Sequence, residues 1–333
     1  MGAFKLLEQN NLSLNLIPVG VKEVFATGFA PCPLYYYSDN GYQLYKDQGH
    51  KLSKEDLREL LVRKSWILFI SFDDFIIFKN YYREQLRKVT RSLSVGNSIG
   101  NVKKMTNLLT IHLGMIYRDP TDDESLSLQY QSIKTLIGFI LDNKKYLPEL
   151  YKSVEEFGHF YTYSQPLLSS LMLMGILLHT QIFNNREIEL LFITSYFKDI
   201  GMALVPQENY LKQNLTSQEK KTIKSHGQNS LKILSGRISL GQNYNTIIAN
   251  HHIHSHIDDN IKLVSDKEIM GIETLFLAIA DMLTAMSSTR PYRKSMDIFE
   301  SLKYLKTLVS SEYPQEFKIL VHFISKFYRS KTK

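Results

Sequence analysis

The stretch Tyr196-Phe197-Lys198-Asp199-Ile200-Gly201-Met202-Ala203-Leu204-Val205-Pro206 lies near the middle of a 333-residue chain. Leu190, Leu191, Ile193 and Phe197 set apolar side chains at helical spacing, while Gly201 and Pro206 are residue types that stop a helix. The spacing predicts a buried helix running into a turn, with Lys198 and Asp199 at the boundary. Charged groups in such a place need a partner or a chemical role.

Downstream of this stretch the pattern stays helical. Thr216 with Glu219 is a capping box that opens a helix running through His226 and Leu234. Ile247 to His252 reads as a short helix followed by a loop rich in His and Asp. Glu273 to Met286 is an apolar helix containing one acid, Asp281. Met296–Leu308 and Glu316–Tyr328 complete a bundle, and Arg329 to Lys333 form a basic, frayed end. Upstream, a helix is predicted from Phe160 to Phe183, with Leu167, Leu168, Leu171, Met174, Leu177 and Leu178 giving it the broad apolar coverage of a central element. Segments 103–118, 126–143 and 147–157 read as further helices, and the first helix of the series is placed to open at Asn80-Tyr81-Tyr82.

The first 79 residues are different. Leu12 to Ile17 alternates as a half-buried strand. Leu34–Tyr37 and Tyr42–Tyr45 flank Ser38-Asp39-Asn40-Gly41, whose Asn-Gly signals a hairpin. Ser53 caps a helix and Trp66 to Ile70 is a buried-type strand. The tyrosines 35 to 37 are read as cross-strand packing. The expectation is a mainly α protein: a small α/β domain over 1–95, a helical linker over 96–125, and a helical bundle over 126–333.

Composition narrows the class. The chain is 44% hydrophobic, as in a globular protein, and its net charge of +7 permits anionic partners but reads first as a solvated cationic surface. Lys and Arg are dispersed, with no basic helix interleaved with aromatics and no zinc-finger spacing, so a nucleic-acid-binding role is not expected. Cys32 is the only cysteine, which rules out an internal disulfide and fits a reducing compartment. The run Leu167 to Leu178 is too short to span a bilayer, and Leu6 stands where a myristoylation signal wants Ser or Thr. A cytoplasmic protein without membrane insertion is expected; its oligomeric state is not legible.

Metal-capable side chains gather in the helical half: Asp199, His226, His251, His252, His254, His256, Asp258, Asp259 and Asp281. Imidazoles and carboxylates converging from several helices are a common way to hold divalent ions. Asp281 stands out because an acid on an apolar helical face needs a partner.

In order and spacing these pieces resemble the HD-GYP family, the cyclic-di-GMP phosphodiesterase branch of the HD-domain metal phosphohydrolases. The likeness runs from about Phe157 to about Leu308. Lys198-Asp199-Ile200-Gly201 through Val205-Pro206 is similar to the family's H-D-I-G-K-I-x-I-P, and Leu215-Thr216 with Glu219 to its L-T-x-x-E. His226 with Ile233-Leu234 resembles its H-P-x-x-G-x-x-I-L, and His251-His252 its double His. Ala280-Asp281 through Arg290-Pro291-Tyr292-Arg293 resembles A-D-x-x-D-A-L-T-S-x-R-P-Y-R. The resemblance implies an HD-type helical bundle with metals held by Asp199, His226, His251, His252 and Asp281, and ligand phosphate held by Arg290 and Arg293.

The departures decide the function. Gln165 stands at the family's early histidine, Lys198 at the histidine of the His-Asp pair, Met202 at the following lysine and Thr284 at the second acid. Gly227 and Ser230 replace a proline and a glycine, and the naming glycine-tyrosine-proline loop is absent. An ammonium is not a metal ligand, so Lys198 is read as a built-in cation beside Asp199 and Asp281, taking the first metal's place. The expected cofactor is one divalent ion, iron or manganese, or none. Three readings stay open: an impaired family member that binds a cyclic dinucleotide or a signalling protein without turnover, a phosphodiesterase with a reduced metal centre, and a metal-free interaction scaffold.

Overall fold

A computed structural model describes residues 16–38, 41–63, 65–96, 99–252 and 271–329. It divides into two compact units, 1–88 and 89–333.

The first unit is built on one antiparallel sheet of four strands, β1 (Leu16–Gly20), β2 (Leu34–Ser38), β3 (Gly41–Lys46) and β4 (Ile67–Ser71), in the order β1-β4-β2-β3. β1 pairs with β4 from Leu16↔Ser71 to Gly20↔Ile67, and β2 pairs with β3 across the hairpin. Tyr37 and Tyr42 meet edge to face at 5.0 Å, and Tyr42 meets Phe69 at 4.9 Å, so the tyrosines act as cross-strand packing. Gly41 has φ +92, the left-handed conformation a tight hairpin needs. The start of the strand read from Leu12 lies outside the described residues, as do Asp39 and Asn40. Two helices accompany the sheet: α1 (Val21–Phe25) and α2 (Lys54–Val62), the latter closed by the Ser53–Asp56 capping box. Cys32 is fully buried, and burial with the nearby Asp74 charge pushes its thiol up to about 12, the state of an inert packing residue.

The division falls inside α3 (Phe75–Val95). This helix begins before the Asn80 read from the sequence. Ser71 and Asp74 exchange hydrogen bonds ahead of its first turn, and Ile76 and Ile77 are exposed there, which hides the apolar period.

The second unit is all helical: α4 (Ile99–Arg118), α5 (Asp123–Asp142), α6 (Leu147–Phe157), α7 (Tyr161–Thr180), α8 (Asn185–Phe197), α9 (Ser217–Lys224), α10 (His226–Leu234), α11 (Gln242–Asn250), α12 (Ile272–Ser287), α13 (Ile298–Val309) and α14 (Pro314–Arg329). The centre is α7, buried almost all round and packed against α4, α6, α8, α12 and α14. Each large aliphatic side chain it buries contributes roughly 1.5–3 kcal/mol. α4, inside the stretch read as a linker, buries most of its residues in this unit. The helix read from Thr216 to Leu234 is two helices, broken at Ser225. Among the described residues no helix is long and apolar enough to cross a membrane.

Candidate metal and ligand site

The site is assembled by two close backbone approaches. After α8, the chain turns through Ile200–Leu204, and Gly201 presses onto α10 so closely that a Cβ there would lie 2.1 Å from the His226 carbonyl oxygen. Gly227 does the same between α10 and α11, where a Cβ would meet the Ala249 and Ile248 carbonyls at 2.9 Å. Glycine at both positions is therefore a steric requirement, and it carries Asp199, His226 and His251 to one point. Ser230 locks the turn: its Oγ accepts from the Gly201 N–H at 2.8 Å and donates to the Lys198 carbonyl at 2.6 Å. Tyr117 of α4 donates to the Asp199 carbonyl at 2.9 Å.

Four donors converge there. Asp199, His226, His251 and His252 each offer one ligand atom, all within 4.8 Å of one another. His226 Nε2 lies 3.1 Å from Asp199 Oδ1, from His251 Nε2 and from His252 Nε2. The tautomers follow from the other ring nitrogens: Nδ1–H of His226 donates to the Ile223 carbonyl at 2.5 Å and that of His251 to the Ile248 carbonyl at 2.7 Å. Their Nε2 lone pairs then face each other and a carboxylate oxygen, a mutually repulsive set unless a cation or proton sits among them. Burial holds His251 below its ordinary value and His252 down to about 2, which disfavours the proton. Carbonyl-anchored imidazoles and spacings near 3 Å, the separation of cis ligands on bonds of about 2.0–2.2 Å, fit one divalent ion.

Asp281 lies outside that group. Lys198, fully buried, reaches between the two acids: Nζ donates to Asp199 Oδ2, and to Asp281 Oδ1 at 2.9 Å. Burial alone would lower Lys198, but the charges of Asp199 and Asp281 outweigh it and hold the ammonium above its ordinary value. Burial likewise works to raise Asp199, yet the Lys198 ammonium beside it keeps it well below the carboxylate range. Gln165 completes the network. Its Nε2 donates to Thr284 Oγ1 at 2.8 Å and reaches Asp281 Oδ1 at 3.2 Å, while its Oε1 accepts from Arg290 Nη2 at 3.2 Å. The substituted positions 165, 198 and 284 thus form one connected cluster with Asp281.

Above the acids opens a cavity of about 500 Å³, well within the size of small-molecule sites, roughly 300–1,000 Å³. Its floor includes Asp199, Asp281, Gln165, His226 and His252, and one wall is aromatic, with Tyr161, Tyr210 and Tyr292. The Arg290 guanidinium stacks 4.1 Å over the Tyr161 ring. Arg293 also lines the cavity, its side chain donating to the Ala285 carbonyl at 2.7 Å, and Lys212, Lys220 and Lys224 add basic groups at the rim. Tyr161 and these lysines were not singled out in the sequence; Lys220 and Lys224, one turn apart on α9, carried the available signal. His159 packs against Phe157 and Tyr163, and His179 pairs with His322 at 3.1 Å, so neither joins the site. His254, His256, Asp258 and Asp259 lie outside the described residues.

Residues 163–315 match the family model described as HD domain. Among solved structures, Bd1817, a HDG"Y"P protein from Bdellovibrio bacteriovorus, is similar, with a TM-score of 0.63 at 13% identity, covering 93% of this chain and 99% of that one. No curated protein sequence matches the chain. The helical core around α7, the Asp199 turn and the matched residues agree: residues 163–315 carry an HD domain, its fold is similar to that of the HDG"Y"P protein, and it is preceded in sequence by a small antiparallel sheet unit.

Proposed function

We propose that this chain is a second-messenger receptor that binds a cyclic dinucleotide, cyclic-di-GMP in the first instance, without turning it over. The observation that carries this reading is the buried Lys198 ammonium bonded to Asp199 and Asp281 beneath a cavity with a basic rim and an aromatic wall. Arg290, Arg293, Lys220 and Lys224 suit the phosphates, and Tyr161 and Tyr292 offer faces for bases. A divalent ion, iron or manganese, would be held by Asp199, His226, His251 and His252, and when bound it would polarise a phosphate oxygen and acidify water. In-line displacement at phosphate benefits from two ions gripping nucleophile and leaving group together, so one ion with an ammonium beside it suits retention better than hydrolysis. The receptor's output then passes to a signalling protein, with the N-terminal sheet unit as the partner-sensing part.

A second reading, a phosphodiesterase with a reduced centre, is favoured by the intact four-donor cluster. A metal-free scaffold is disfavoured by the same cluster and by the basic cavity. Calorimetric titration of cyclic-di-GMP tests the proposal: saturable binding to the native chain, weakened at least tenfold by Arg290→Met with Arg293→Met, is the expected result. No heat of binding with the native chain sinks it.

A further inference from the structure

We propose that Lys198 is a resident monovalent cation that fills the position between Asp199 and Asp281 and limits this centre to one divalent ion. The inference rests on the reading of Asp199, His226, His251 and His252 as a metal site, and adds what occupies the other side of Asp199.

The two oxygens that face Lys198 belong to different carboxylates: Asp199 Oδ2, and Asp281 Oδ1 at 2.9 Å. Asp199 therefore divides its work, Oδ1 facing the imidazoles and Oδ2 facing the ammonium. Asp281 Oδ1 also accepts from Gln165 Nε2, whose other amide hydrogen is directed at Thr284. An amide donor and an ammonium both present hydrogens where a second divalent ion would need lone pairs. Neither can be turned into a ligand by a rotamer change: Lys198 has none to offer, and the Gln165 oxygen is engaged by Arg290.

Charge leads to the same conclusion. Lys198 is ion-paired with both Asp199 and Asp281, Arg290 brings a second positive charge next to them through Gln165, and the three imidazoles are neutral donors. One divalent ion leaves a surplus that an anionic ligand in the cavity offsets. A second leaves a surplus that no further acid among the described residues lining the cavity can meet.

The test is metal content, independent of any activity. The chain is stripped with chelator, dialysed against manganese(II) chloride, and its bound manganese counted, with thermal midpoints recorded alongside. One equivalent is expected for the native chain, and one for Asp281→Asn, whose carboxylate serves the ammonium rather than the ion. Lys198→His combined with Gln165→His is expected to take up a second equivalent and to gain a metal-dependent rise in midpoint beyond the native one. Two equivalents on the native chain, or loss of the single ion in Asp281→Asn, overturns the proposal while leaving the metal reading intact. Zero equivalents on the native chain overturns both.

Discussion

Lys198 Nζ lies 2.9 Å from Asp281 Oδ1, joining side chains 83 positions apart in the sequence and tying the turn after α8 to the middle of α12. The contact is buried on the lysine side and also engages Asp199, so one ammonium holds two acids that would otherwise repel. Losing one partner of a buried ion pair leaves the others uncompensated.

Lys198→Met should therefore destabilise the metal-free chain by about 3–5 kcal/mol. Chemical denaturation measures this, and adding Asp281→Leu should recover at least half of the loss, because the stranded charge is removed. No recovery in the double variant would mean that the lysine acts through packing alone.

Gly201→Ala should be as damaging for a different reason. The added Cβ falls 2.1 Å from the His226 carbonyl oxygen and 2.4 Å from the Ser230 nitrogen, both backbone atoms of buried residues in α10. The turn must move away from α10, at a cost of about 3 kcal/mol or more, and metal affinity should fall with it. Unchanged stability in denaturant would refute the close approach.

Acid should weaken the metal-free fold from the ordinary imidazole range downward. His251 and His252 are depressed in the folded state, His252 to about 2 from an ordinary 6.5. Below pH 6.5 the unfolded chain binds protons that the folded chain does not, so stability falls as pH falls, by up to about 1.4 kcal/mol per pH unit for each imidazole. Asp199, depressed below its ordinary 3.8, adds a further loss only below that pH. Unfolding midpoints between pH 7.5 and 4.5 should show the slope, and His252→Gln should reduce it. A flat profile would contradict the burial of these rings.

Lys220→Gln with Lys224→Gln should weaken cyclic-di-GMP binding about three- to tenfold and flatten its dependence on salt, since both residues are exposed at the rim. The thermal midpoint should move by no more than about 1 °C. A large fall in stability with unchanged affinity would place these lysines outside the ligand site.

Much of the bundle was legible because its signals are local. The Thr216–Glu219 capping box, the apolar face of α7 and the late run through Arg293 depend on residues a few positions apart. The break at Ser225 was not legible, because apolar spacing continues across it while the backbone turns. Gly227 and Ser230 looked like departures from a pattern. In the fold they are the residue that admits α11 and the hydroxyl that holds the Lys198 turn. The link from Gln165 through Thr284 and Arg290 to Asp281 could not be read, since it joins α7 to α12 across more than a hundred positions. Tyr161 under Arg290 was hidden for the same reason.

Incubation of the manganese-loaded native chain with cyclic-di-GMP, followed by chromatographic analysis of the nucleotide, tests the receptor reading most directly. Bound, intact cyclic dinucleotide recovered in full is the expected result. Linear dinucleotide or GMP formed at a rate abolished by His226→Ala would contradict it and make the chain a phosphodiesterase.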